Sequence, residues 1–238
     1  MTIALRASCP LIHWTYHYWH VFVPEVNAGQ IYGFRAHGEF NPDRGLRFDA
    51  SKLLLDPYSR AIVVPRGYSR DAACKPGDNT AIAMKSVVTN PHAYDWEGDT
   101  PLRRPWSRTI IYEMHVRGFT AHSNSGVAEH KRGTYAGLVE KIPYLQQLGI
   151  TAVELLPVFQ FDSQDAPPGL TNYWGYSPVS FFAPHHAYSS RQERLKQQEM
   201  PGNLALLVAE ASSQQPDANR RIELLRISEA GMAASNLQ

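Results

Sequence analysis

Several sequence features are absent from the chain, and each absence excludes a class of protein. No apolar run reaches the roughly 18–20 residues that a transmembrane helix needs, so no membrane partner is expected. The apolar stretch at the start is broken by Arg6, His13 and His17, which is unlike a signal peptide. The 23 basic residues balance 22 acidic ones and form no basic block, so nucleic acid is not an expected partner.

Cysteine is also scarce. Cys9 and Cys74 are the only two in the chain. Two free thiols fit a reducing compartment better than a secreted protein, although a single disulfide stays open as an alternative. The sequence therefore predicts a cytoplasmic protein, and we expect no metal site and no cofactor.

Apolar and aromatic residues are plentiful by comparison. Hydrophobic residues make up 43% of the chain and charged residues 19%, which is typical of a globular protein with a core. The first part, to about residue 64, is β-rich. Residues 18–23 and 30–37 are strand candidates on either side of Pro24, and they predict a hairpin of a small β-sandwich. Two strands need further partners, so this module looks partial.

Residues 41–106 are rich in Pro, Gly, Asp and Arg and predict a long irregular connection. The segment 98–105 (GDTPLRRP) is the best candidate for a domain boundary. We therefore assign residues 1–98 to the β module with its linker and residues 99–190 to a second domain.

The second domain begins with a strand–helix–strand pattern. Residues 109–114 and 151–156 are apolar enough for buried parallel strands. Thr134 can cap a helix between them, Pro143 predicts a kink, and Gly149 predicts the helix end. This order predicts a βαβ unit whose two strands are parallel.

The composition changes again after residue 190. Residues 191–238 contain no aromatic residue, no His and no Cys. Segments 204–211 and 220–230 are candidate helices, but nothing ties them to the preceding pattern. We interpret 191–238 as an unrelated or frameshifted tail.

Four segments carry a family resemblance, and they occur in the family's order. They are GEFNPDRGLRFDASKLLLDPYSRAI (38–62), IYEMHVRGFT (111–120), YLQQLGITAVELLPVF (144–159) and NYWGYSPVSFFAP (172–184). Together they resemble the glycogen-debranching and isoamylase branch of the α-amylase superfamily, a glycoside hydrolase family, over about residues 19–190. The endings VRGFT and LLLDPYSRAI favour debranching enzymes over branching or trehalose-forming relatives.

The resemblance implies a fold and an activity. It implies a carbohydrate-binding β-sandwich followed by a (β/α)8 barrel, which takes about 250 residues. It also implies hydrolysis of α-1,6 branch points by two carboxylates, which the family places on later barrel strands than the two present here. We therefore expect an incomplete barrel and no catalytic residue. Glu113 and Glu154 are interpreted as structural, and Asp162 and Asp165 as solvated loop acids.

Candidate substrate-binding residues follow from the same resemblance. Tyr176 resembles the tyrosine that stacks on the sugar at the cleavage subsite, and Trp174 and Tyr173 would line the same wall. His115 follows the first barrel strand and lies within reach of the site, although a lone histidine is more often structural. The expected partner is an α-glucan such as glycogen or its limit dextrin.

Three functional hypotheses stay open. The chain is an inactive fragment of a debranching enzyme, or a glucan-binding remnant that uses Trp19, Trp174 and Tyr176, or one part of an enzyme that a second chain completes. Because a partial barrel leaves strand edges and apolar faces uncovered, we expect an aggregation-prone chain whose tail is its least ordered segment.

Overall fold

The computed structural model describes residues 5–11, 13–190 and 206–212. These residues form two compact units. The first unit contains the described residues up to Thr89, together with Ser180–Ala183 and 206–212, and the second contains Asn90–Val179 and 184–190. None of the helices in the described ranges has the length and apolar character that crossing a bilayer requires.

The strands are short and are spread over the whole described chain. They are β1 (Leu5–Pro10), β2 (His13–Thr15), β3 (Tyr18–His20), β4 (Ile31–His37), β5 (Phe40–Asn41), β6 (Leu46–Arg47), β7 (Ile62–Val63), β8 (Lys85–Val87), β9 (Ile111–Met114), β10 (Ala152–Leu155), β11 (Phe159–Phe161), β12 (Pro178–Pro184) and β13 (Leu206–Ser212). The α-helices are α1 (Arg70–Cys74), α2 (Val116–Thr120), α3 (Tyr135–Glu140) and α4 (Ile142–Gln147).

The first unit is built on a five-stranded sheet in the order β1-β13-β4-β8-β7. Strand β4 is buried along most of its length, and its alternate residues serve two separate cores. Tyr32 and Phe34 belong to one cluster, with Leu11 and Val88. Ile31 belongs to the other, with Leu53 and Ala83.

The predicted hairpin between residues 18–23 and 30–37 is wrong. Strand β3 pairs antiparallel with β2 instead, and Trp19 lies opposite Trp14 in that pair. Only Tyr16 and His17 separate these two strands, and Tyr16 adopts a positive φ of 56°. Because a two-residue loop closes more easily than the longer segment that contains Pro24, β3 pairs with its nearer neighbour.

The linker prediction for residues 41–106 is also wrong in part, because this region supplies strands to the sheet. Strand β8 pairs antiparallel with both β4 and β7. Leu54 and Phe34 exchange two backbone hydrogen bonds, of 2.8 and 2.9 Å, as an isolated antiparallel bridge. Strands of two or three residues are too short to show a period in the sequence, so pattern analysis missed them.

The candidate helix at 204–211 is the one part of the tail prediction that the structure contradicts. Residues 206–212 form strand β13, so the candidate helix at 204–211 is not formed, and β13 pairs with both β1 and β4. Leucine and alanine are among the best helix formers, but intrinsic propensity contributes less than about 1 kcal/mol per residue, and pairing with two neighbouring strands overrides it. The candidate helix at 220–230 lies outside the described residues.

The second unit contains the predicted βαβ arrangement. Strands β9 and β10 are parallel, with Ile111 opposite Ala152 and Met114 opposite Leu155, which confirms the prediction. The helix between them is interrupted: α3 ends at Glu140, and α4 begins at Ile142 with a proline in its first turn. The interruption beside Pro143 is the predicted kink.

The predicted helix ends are confirmed as well. The Thr134 hydroxyl accepts a hydrogen bond from the Gly137 amide at 3.3 Å, which caps α3. Gly149 follows the end of α4 with φ of 82°, a left-handed conformation that glycine adopts without strain. The fold is therefore a β unit followed by a mixed α/β region.

Candidate functional site

An aromatic cluster forms where β9 leads into α2. His115 lies at this junction, is buried, and caps α2: its Nδ1 accepts a hydrogen bond from the Gly118 amide at 3.0 Å. Its Nε2 therefore carries the ring proton and donates it to the Tyr173 carbonyl oxygen at 2.8 Å, with the Tyr188 hydroxyl 3.1 Å away. Both ring nitrogens are bonded within the protein.

Three rings surround His115. The Tyr173 ring stacks on it, with centroids 4.3 Å apart and an angle of 9° between the planes. Trp174 and Tyr188 meet it edge-on at 6.0 and 5.7 Å. An added Cβ on Gly118 would lie 2.9 Å from the Tyr173 hydroxyl, so the glycine allows this close approach.

The loop that carries the candidate tyrosines is fixed by Asn172. Its side-chain amide donates to the Tyr176 carbonyl oxygen at 2.9 Å, and its oxygen accepts from the Gly175 amide at 3.1 Å. Gly175 has φ of 81°, and a Cβ there would lie 2.9 Å from the Phe161 ring. Ser177 also has positive φ, at 61°, a conformation that costs energy for a non-glycine residue.

The structure brings together three of the four predicted site residues. His115, Tyr173 and Trp174 are in ring contact, and Trp174 meets Tyr173 edge-on at 5.5 Å. Tyr176 lies in the same loop but outside these ring contacts. Trp174 is 57% exposed and Tyr176 60%, so both rings offer faces to solvent, whereas His115 supports the cluster from behind. We call Tyr173, Trp174 and Tyr176 the aromatic wall.

Sequence analysis missed His185, which is buried beneath the same cluster. Its ring stacks on Phe161 at 3.7 Å and meets Tyr188 edge-on at 4.8 Å. Burial, and to a smaller extent the neighbouring His186 and His115, lower the pKa of His185 to about 3. It is therefore neutral near pH 7. The signal available in the sequence was the pair His185–His186, directly after the apolar end of β12.

Polar groups behind the wall are held by hydrogen bonds. The Gln160 side-chain oxygen accepts from the His186 amide at 3.0 Å, and its nitrogen donates to the Phe161 carbonyl oxygen at 2.8 Å. Burial raises the pKa of Tyr188 to about 12, and that of Tyr135 as well. Both tyrosine hydroxyls therefore stay protonated and neutral near pH 7.

The loop acids behave differently from each other. Asp162, interpreted from the sequence as solvated, is buried, and its carboxylate accepts a hydrogen bond from the Gln164 amide at 2.9 Å. Asp165 is only partly buried. In the described part of the chain, no group of three or more His, Cys, Asp or Glu side chains is arranged to hold a metal ion.

Acids on the two strands face each other. Glu113 and Glu154 are direct partners in the β9–β10 register, and both are exposed. Like charges in this position repel each other, so the pair opposes strand association. Each lies within its strand rather than in the loop that follows it.

Comparison with known proteins shows what the chain is similar to. Residues 7–59 match carbohydrate-binding module 48, the isoamylase N-terminal domain. The glycogen debranching enzymes of Salmonella paratyphi B and Salmonella typhi are each 44% identical to the chain over 187 residues. The match covers 74% of this chain and 28% of each relative, so the chain spans little more than a quarter of their length.

Solved structures of pullulanases are also similar. A pullulanase from Anoxybacillus sp. LM18-11 complexed with maltotetraose has 26% identity and a TM-score of 0.43, over 66% of this chain and 24% of that one. Pullulanase type I from Bacillus subtilis str. 168 complexed with maltose has 28% identity and a TM-score of 0.42, over 68% and 23%. On the sequence matches, the chain is homologous to the glycogen debranching enzymes and contains the module that begins isoamylases.

Proposed function

We propose that the chain binds α-glucan, such as glycogen or its limit dextrin, and does not cleave it. The observation that carries this proposal is the aromatic wall. Its exposed rings, Trp174 and Tyr176, belong to a loop whose backbone is fixed by two hydrogen bonds from the Asn172 side chain. The match of residues 7–59 to a carbohydrate-binding module supports the same class of ligand.

The chemistry of the wall suits a neutral sugar. A glucose ring has an apolar face of C–H groups that packs on an aromatic ring, and hydroxyls at its rim that need hydrogen-bond partners. The wall supplies rings with polar tips at Tyr173 and Tyr176. His185 behind it is neutral near pH 7 and supplies no charge that would attract an anionic ligand.

The absence of cleavage is proposed from the positions of the acids. Retaining glycosidases place two carboxylates about 5–5.5 Å apart, on either side of the scissile bond. Asp162 is buried and already accepts an amide hydrogen bond, so it is not available to a sugar. Glu113 and Glu154 lie within their strands rather than beyond them.

The location of this activity and the larger fold are part of the proposal. Cys74 is an exposed free thiol, which fits a reducing compartment, and we place the chain in the cytoplasm. Residues 99–190 correspond in this proposal to the first βαβ part of a (β/α)8 barrel of an α-1,6-glucosidase.

A second candidate function rests on the β9–β10 pair. Ile111 is 51% exposed and Val153 41%, although parallel strands are normally covered on both faces. A second chain that supplied further strands would cover these residues. Mixing with such a chain would then yield both a stable complex and hydrolysis, which binding alone does not predict.

Calorimetric titration with maltoheptaose tests the proposed function. The variants Trp174→Ala and Tyr176→Ala each remove one exposed ring and should weaken binding about tenfold, equivalent to about 1.4 kcal/mol. Trp106→Ala is the matched control, since Trp106 is 86% exposed and lies outside the loop. Binding that is unchanged in both wall variants would refute the assignment of the wall.

A further inference from the structure

Strand β13 lies inside the main sheet rather than at its edge. It pairs in parallel with β4 from Leu207 opposite Tyr32 to Ser212 opposite His37. On its other side it pairs in parallel with β1, to the point where Glu210 lies opposite Pro10. Two neighbours satisfy the backbone groups on both sides of β13.

Without β13, the main sheet would have a gap between β1 and β4. On its opposite edge, β4 pairs with β8 at Ile31 and Tyr32 and with Leu54 at Phe34. The edge that faces β13 has no other partner strand in the described ranges, and β1 joins the sheet only through β13. Removing β13 would therefore leave two unpaired strand edges facing one gap, which is the geometry that accepts an added strand.

The segment that fills the gap comes from outside residues 19–190, the part of the chain that carries the family resemblance. Its sequence, LLVAEAS, follows the last resemblance block, which ends at Pro184. It contains one charged residue and neither Pro nor Gly, as expected of a segment that pairs through its backbone. Backbone pairing tolerates many sequences, so the gap selects an extended, mainly apolar peptide rather than one particular protein fold.

We propose that the gap between β1 and β4 is a strand-binding site that is occupied in cis by residues 206–212. The same site takes this segment from a second copy of the chain, in the same parallel register. Attachment to its own chain gives the cis segment a millimolar effective concentration, so it competes strongly with any added peptide. Breaking the cis strand opens the site to a strand supplied in trans.

Peptide binding to the full chain tests the proposal. The probe is a fluorescein-labelled peptide with the sequence of residues 204–214, and binding is followed by anisotropy. The chain variant Ala209→Pro removes a backbone donor from the centre of β13. This variant should bind the probe at least tenfold more tightly than the unchanged chain does. A probe that itself carries Ala209→Pro should bind neither chain.

Equal affinity of the two chains for the unmodified probe would overturn the proposal, as would a folded Ala209→Pro chain that fails to bind it. Amide exchange on the unchanged chain gives an independent answer if the variant does not fold. The amides of β13 should be protected together with those of residues 32–37. Exchange of 206–212 at the rate of an unstructured peptide would equally overturn the strand-binding site.

Discussion

The two units contain strands of similar apolar character, but the central strand of the first unit is buried, whereas the strand pair of the second is largely exposed. Strand β4 includes Gly, Arg and His yet is buried along most of its length, because clusters pack on both of its faces: Leu11 and Val88 with Phe34, and Leu53 and Ala83 with Ile31. Strands β9 and β10 are at least as apolar, but within the described part of the chain they pair with no third strand, and Ile111 and Val153 stay exposed. Burial of these strands therefore depends on what packs against their faces more than on their own composition.

The largest expected effect concerns packing in the second unit. A Cβ on Gly137 would clash with the Lys131 carbonyl oxygen and would lie 2.9 Å from the hydroxyl of Thr120, a completely buried residue. Because the nearer atom is backbone, Gly137→Ala should lower the free energy of unfolding by about 3 kcal/mol, measured by urea denaturation. Gly67→Ala, where the nearest atom is 3.4 Å away, serves as control. A loss below about 0.5 kcal/mol would mean that α3 is loosely held.

The first unit should respond less to the same change. A Cβ on Gly33 would lie 2.8 Å from the Leu53 Cδ1 atom and 3.1 Å from the Leu54 carbonyl oxygen. The closest atom belongs to a leucine side chain, which can move, and the backbone oxygen is farther away than the one that a Cβ on Gly137 would meet. Gly33→Ala should therefore cost about 1–2 kcal/mol in the same assay. A cost greater than that of Gly137→Ala would reverse the ranking and show that the β4 core is the more rigid of the two.

A buried lysine should make the stability of the first unit depend on pH in the alkaline range. Lys85 is completely buried, its Nζ donates to the Ala83 carbonyl oxygen at 2.8 Å, and burial lowers its pKa to about 8. Between that value and about 10.4, the unfolded chain holds more protons than the folded one, so stability rises with pH. Urea denaturation should show a gain of about 1 kcal/mol from pH 8 to pH 9.

The matched variants for this test are Lys85→Met and Lys75→Met. The first should be more stable than the unchanged chain at pH 7 and should lose the rise above pH 8. The second removes an exposed lysine, which pairs with Asp71 at the surface, and should keep the rise. A rise that persists in Lys85→Met would assign the titration to another group.

The smallest effect is expected at the strand pair of the second unit. Glu113 and Glu154 are direct partners and both are exposed, so Glu154→Gln should stabilise the pair by about 0.5 kcal/mol at low salt. The gain should shrink at 1 M salt because salt screens exposed charges. Glu129→Gln, which changes the net charge equally, should give no such gain. Equal gains in both variants would point to net charge instead of the pair.

Local signals in the sequence predicted local structure well. Thr134, Pro143 and Gly149 each act through their own backbone or hydroxyl, so the helix cap, the interruption and the helix end could be predicted from single residues. The parallel β9–β10 pair followed from the strand–helix–strand order, because a crossover connection of that length favours parallel strands.

Long-range pairing could not be predicted in the same way. Strand β13, which pairs with β4, lies about 170 residues later in the chain, and its residues also suit a helix. The predicted site shows the same limit: the loop with Tyr173 and Trp174 was identified, but His185 was not, because its role depends on the ring of Phe161 beneath it. Ring contacts between distant segments leave no periodic pattern in a sequence.

Release of reducing ends from glycogen limit dextrin tests the central claim, binding without cleavage, most directly. The purified chain is incubated with the polysaccharide, the polysaccharide is sedimented, and reducing ends are measured in the fraction that carries the bound protein. The account predicts that the chain sediments with the dextrin, that Tyr176→Ala sediments less, and that reducing ends stay at the level of buffer. Sustained release that copurifies with the chain through two different columns would contradict it.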